Sequence, residues 1–120
     1  MSAVNNLDEN AVTNSERLIF IKNLGYTVTN NEPNTKSVNI PEKFYDVYQN
    51  YNLLQQKAGY DLSLYKGCEV VIYTYNINPP VKYTGEWAIN LIVYNNRIIG
   101  GDVSASAFGG HMLPLKKQSE

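Results

Sequence analysis

The spacing of apolar residues changes partway along this chain, and that change limits the fold more than any other feature. Up to Leu54 the apolar positions recur every three or four residues, as on a helix with one buried face. From Cys68 onward they alternate with period two, as in strands. The chain has 120 residues, enough for one core that hides roughly two-thirds of the unfolded surface. At 43% hydrophobic and 18% charged it lies in the globular range, so that core should form.

Local signals place the helices. Thr13-Asn14-Ser15-Glu16 fits a capping box, in which a hydroxyl and a carboxylate three residues apart satisfy backbone donors at a helix start. Leu18, Ile21 and Leu24 follow on one face, and Gly25 supplies a left-handed stop. Pro41 suits the first position of a second helix, with Phe44, Val47, Tyr48, Tyr51 and Leu54 as its apolar ridge. Buried together, these five would contribute on the order of 10 kcal/mol gross, so the ridge is predicted to be core. Gly59 closes this helix, and residues 61–67 form a structured connection with room for a single helical turn.

Between the helices, β-branched residues flank a turn at 30–34 and predict short strands at 26–29 and 37–40. Strands are then predicted at 68–77, 86–94 and 97–104. Asn95-Asn96 suits the positive φ angles of a two-residue hairpin. Trp87, Ile89, Leu91 and Val93 share one side of their strand and should face the helices, as should Val70 and Ile72. Glu69, Val71, Tyr73, Tyr75, Asn90, Ile92 and Tyr94 should then face outward. The predicted fold is α+β: two helices packed on one face of a mostly antiparallel sheet, in an element order similar to cystatin-like or PepSY-like domains. Residues 1–13 read as a polar tail, 14–115 as the domain and 116–120 as a frayed end.

Composition excludes several functions. Ten Lys and Arg against eleven Asp and Glu, with no basic cluster beyond Lys116-Lys117, argue against nucleic acid. No apolar run reaches the roughly 20 residues of a membrane span, and Met1 to Asn10 lacks the pattern of a signal peptide. Cys68 and His111 are the only residues of their types, too few soft ligands for structural zinc, and no cofactor motif is present. A Cys68–His111 or Asp102–His111 pair would be the candidate for a small hydrolase or thiol enzyme, although a packed cysteine and a surface histidine are the default readings. Gly100-Gly101-Asp102 lies inside a strand, where glycine marks a bulge first and a close ligand approach second. Gly109-Gly110 reads as a flexible turn.

The ten tyrosines are the most informative excess. Tyr73, Tyr75 and Tyr94, with Asn90, Ile92 and Ile99, could form an aromatic recognition patch on an uncovered sheet face. Good strand propensity explains the same residues without any partner.

Three blocks carry a family resemblance: Ile40-Pro41-Glu42-x-Phe44-x-x-Val47-Tyr48-x-x-Tyr51-Asn52-x-Leu54-Gln55, then Gly59-Tyr60-Asp61-Leu62-Ser63-x-Tyr65-x-Gly67, then Leu91-Ile92-Val93-Tyr94-x-x-Arg97-Ile98-Ile99-Gly100-Gly101-Asp102-Val103. With a weaker match around Leu24-Gly25-Tyr26, they cover most of the chain from about Ser15 to Leu113. The chain resembles the domain of unknown function 4830 family, found in short membrane-anchored proteins and lipoproteins of Gram-positive bacteria. The resemblance implies an extracytoplasmic location, with membrane attachment only through an N-terminal anchor and residues 1–14 as the remnant of a tether linker. It assigns no activity and no functional residue. Ser104 departs from relatives, which often carry a cysteine there.

These readings lead to a non-enzymatic cell-envelope module that binds a protein or cell-wall ligand through its sheet face. The expected binding face is Tyr73, Tyr75, Asn90 and Tyr94, with Gly100, Gly101 and Asp102 as a bulge or point of ligand approach. A structural or assembly role is the remaining alternative; the oligomeric state is open.

Overall fold

In the computed structural model, which describes residues 11–107 and 110–118, the capping box forms as predicted. Thr13 Oγ1 accepts from Glu16 N, and Glu16 Oε1 from Thr13 N, each at 3.1 Å. They start α1 (Asn14–Asn23), and Gly25 follows with φ +93°. Ala11, inside the predicted tail, already belongs to the fold: it is buried and donates its backbone N–H to Asn96 O at 2.9 Å. Residues 1–10 lie outside the described residues. At the other end Gln118 donates its backbone N–H to Leu24 O, so the segment predicted as frayed is tied down at least that far.

The fold is α+β: the described residues form two helices and a five-stranded antiparallel sheet ordered β1-β2-β3-β4-β5. The strands are β1 (Asn34–Asn39), β2 (Glu69–Ile77), β3 (Trp87–Tyr94), β4 (Arg97–Ala105) and β5 (Met112–Pro114). Between β1 and β2 the chain forms α2 (Asp46–Gln56) and a 3₁₀ turn (Leu62–Tyr65). The segment predicted as a strand at 26–29 makes only one bridge, Val28 to Ile77, and β5 was not foreseen. Asn95 and Asn96 take φ +54° and +65°, as the predicted hairpin requires.

Register corrects the predicted layering. Tyr73, Tyr75 and Ile77 stand opposite Leu91, Ile89 and Trp87, and directly opposed residues share a face. The tyrosines therefore join the Trp87 side, where Phe20 and Ile21 of α1 complete one core. Val70, Ile92 and Ile99 build a second core on the reverse side with Ile40, Leu62 and the aromatic residues of α2. The two helices sit on opposite faces, not on one. A sheet covered on both sides carries apolar residues at both parities, so alternation alone does not say which set faces which helix.

The α2 ridge is only partly core. Phe44, Tyr48 and Tyr51 pack against the second core, but Val47 is 85% exposed and Leu54 half-buried. The most buried residues of α2 are instead two amides, Asn52 and Gln55.

Candidate binding site on the open sheet face

Register sets Thr74, Asn90 and Asp102 side by side across β2, β3 and β4, on the face that carries α2. Their side chains join hand to hand. Thr74 Oγ1 donates to Asn90 Oδ1, and Asn90 Nδ2 donates to Asp102 Oδ1 at 2.9 Å. Ser104 Oγ also donates to Asp102 Oδ1, while the Tyr51 hydroxyl donates to Oδ2 at 2.6 Å. Asp102 is 4% exposed, so these three donors replace the water that its carboxylate has lost.

Tyr51 keeps its proton. Burial, and then the Asp102 carboxylate that its hydroxyl meets, push the phenol far above its ordinary value. The Gln55 side chain acts weakly against that shift. Gln55 holds the floor from beneath, its Oε1 accepting from Gly101 N at 2.8 Å, while its buried Nε2 meets no acceptor in bonding geometry.

The two glycines now have a physical reason. A β-carbon on Gly100 would lie 2.8 Å from Gln55 Oε1, and one on Gly101 only 2.1 Å from Asn90 O. Ile92 pairs with Gly100 and Val93 with Ile98, leaving Ile99 as the extra residue of a bulge. The bulge lies beside Gly100-Gly101-Asp102, and the group packed closely against the two glycines is the chain's own Gln55.

Toward its other end this face is open. Thr74, Ala88, Asn90 and Ser104 are half-exposed, and Asn76 and Met112 are exposed. Beside them Val47, Asn50, Tyr51, Leu54 and Met112 line a groove of about 330 Å³. Tyr51 belongs to both parts through its bond to Asp102, and Met112 pairs with Ser104. The result is a row of hydroxyl and amide groups next to an apolar wall, a combination suited to binding.

The predicted tyrosine patch does not assemble. Tyr75 is 0% exposed, its oxygen accepting from Arg17 Nε at 3.0 Å and donating to Asn14 Oδ1. Tyr73 lies beneath the Arg17 guanidinium, 3.8 Å from its ring centroid. Tyr94 and Asn90 point to the reverse face, where Tyr94 meets Tyr65 edge-on, and a hydrogen bond with Cys68 raises its phenol above the ordinary value. Of the four residues predicted as a binding face, Asn90 alone belongs to the open row.

Neither predicted catalytic pair forms. Cys68 precedes β2 and neighbours Tyr94, whereas His111 meets Tyr83 edge-on beside Trp87, where β2 ends. The nine residues of β2 span roughly 26 Å between those ends. Asp102 is nearer, but His111 is held opposite Ala105 on the α1 face, while Asp102 points to the α2 face. Among the described residues, no three His, Cys, Asp or Glu side chains converge as a metal site would require.

Thr74, Ser104, Met112 and Tyr51 were absent from the predicted site. The parity of Thr74 relative to Asn90 depends on cross-strand register, and Tyr51 lies 51 positions from Asp102. A family model described as Domain of unknown function (DUF4830) matches residues 20–103, which span the sheet core, α2 and the Gly100-Gly101-Asp102 segment. No curated protein and no solved structure matches the chain.

Proposed function

The chain belongs to the family described as Domain of unknown function (DUF4830), and from that footing we propose a non-enzymatic module of the cell envelope, the extracytoplasmic part of a lipoprotein or membrane-anchored protein. It captures a protein or cell-wall ligand on the open half of the α2 face. The observation that carries this reading is the Thr74–Asn90–Asp102–Ser104 row, fixed by side-chain hydrogen bonds, in which Thr74, Asn90 and Ser104 stay half-exposed around the buried Asp102, beside the Val47, Leu54 and Met112 groove. A polar array fixed before binding loses little freedom when a ligand arrives. The alternative of a small hydrolase or thiol enzyme would need His111 beside Cys68 or Asp102, and His111 packs against Tyr83 on the α1 face. The compartment rests on the likeness to anchored relatives.

The test uses purified Gram-positive peptidoglycan sacculi as the first probe, with hydrogen exchange mapped on the bound protein. Slowed exchange at residues 88–91 and 102–104 is the expected result. Tight sacculus binding with protection confined to the α1 face would overturn the site assignment. No binding to sacculi leaves the protein-ligand arm, tested by crosslinking from a photoreactive residue at Met112 in intact cells; crosslinks no different from those at Lys22 would overturn the function itself.

A further inference from the structure

On the α1 side of the sheet, away from the groove, a cavity of about 200 Å³ is lined by Tyr26, Val81, Tyr83, Leu113, Lys116 and Lys117. Its walls are fixed by contacts from three parts of the chain. Gln118 Oε1 accepts from Val81 N and its Nε2 donates to Gly25 O, both at 2.6 Å, which straps the C-terminal segment to the turn after α1 and to the β2–β3 loop. Tyr83 is clamped between Trp87 and His111, with ring centroids 4.9 and 5.1 Å away. Lys82 stands beside it at φ +75°, in a turn closed by Tyr83 N donating to Pro80 O at 2.9 Å. Turns of this kind normally place glycine there.

The lining is one-sided in charge. Two lysines stand over apolar and aromatic surface, and among the described residues no acidic side chain lines the cavity. A cationic ligand would be repelled, and a fully polar one would leave the floor in contact with water. A compact anion with an apolar body satisfies both parts. At about 30 Å³ per water the space holds roughly seven waters, room for a single-ring acid.

We propose that this cavity binds a small organic carboxylic acid, its apolar body on Tyr83, Val81 and Leu113 and its carboxylate toward Lys116 and Lys117. Exposed lysines lend only modest electrostatic energy, so the site needs floor and charge together.

The experiment titrates the full chain with benzoate and with benzamide, its neutral counterpart of the same shape, following backbone amide resonances. Benzoate should shift Val81, Tyr83 and Leu113 saturably and bind about tenfold more tightly than benzamide. That advantage should shrink with added salt and vanish in a Lys116→Gln, Lys117→Gln double variant. The single variants carry the same comparison if the double one alters the whole spectrum. Equal binding of the two probes, shifts confined to other residues, or a preference for benzoate that survives the lysine changes would each overturn the proposal. N-acetylphenylalanine stands for a peptide C-terminus, and tighter binding of it than of benzoate would overturn the assignment to a small acid.

Discussion

The Tyr51 hydroxyl donates to Asp102 Oδ2 at 2.6 Å, joining the middle of α2 to β4 across 51 positions of sequence. Asp102 is buried, so losing this donor leaves part of a carboxylate without a partner and without water. Tyr51→Phe keeps the ring and removes only the hydroxyl. It should destabilise the domain by about 1–3 kcal/mol in urea unfolding. A variant as stable as the wild type would show that the bond contributes nothing net.

The same phenol gives stability a sign at high pH. Its folded pKa is raised above the ordinary 10.0, by burial first and by Asp102 second. Above about pH 10 the unfolded chain releases this proton while the folded chain retains it, so stability is full below that pH and falls as pH rises. One such group accounts for at most about 1.4 kcal/mol per pH unit. Burial raises Tyr26 and Tyr48 in the same direction, so Tyr51→Phe should flatten the alkaline slope without abolishing it. Urea midpoints measured between about pH 9 and pH 11 would show this.

Gly101→Ala should be the most damaging single methyl in the site. The added carbon would sit 2.1 Å from Asn90 O, a backbone atom that cannot swing aside, at a residue with φ +154°. A loss above about 3 kcal/mol is expected, read as a large fall in the melting temperature. Gly100→Ala should cost less, since its nearest obstacle is the side chain of Gln55.

Features set by a few adjacent residues were legible in the sequence. The Thr13–Glu16 capping box, the Gly25 stop and the Asn95-Asn96 hairpin follow from local backbone chemistry, and each appears where predicted. The inward set of β3, Trp87 through Val93, was also readable from period two. The phase between β2 and β3 was not, because residues 78–86 between them do not fix the register, and a sheet buried on both sides offers apolar residues at either parity. That one ambiguity put Tyr73 and Tyr75 on the wrong face and both helices on the same side. Asp102 and Asn90 were noticed singly; their meeting with Thr74 and Tyr51 is a product of tertiary register.

Asn52 serves two partners at the end of α2. Its Nδ2 donates to Asp61 Oδ1 at 2.9 Å and its Oδ1 accepts from Leu62 N at 2.7 Å. Asn52→Ala leaves the buried Leu62 N–H unpaired and should cost about 1–3 kcal/mol at neutral pH. The Asn52 bond, and after it those from Ser63, also hold the Asp61 carboxyl below its ordinary 3.8. Stability from that source is present above pH 3.8 and is lost as pH falls through the lowered folded value. Solvent around Asp61 keeps this share small, so acid titrations of wild type and variant should converge only slightly at the lowest pH.

Val47 separates binding from folding. Its side chain is 85% exposed, so Val47→Ser removes almost no buried surface and should change stability by less than about 0.5 kcal/mol. Yet Val47 forms part of the apolar wall beside the Thr74–Asn90–Asp102 row, where a bound ligand would cover it. If that groove is the contact surface, the variant should melt with the wild type and retain less ligand, and Met112→Ser should do the same from the opposite wall. Equal retention by both variants, at unchanged melting temperature, would move the contact off the groove and leave its exposed apolar residues without a role in capture.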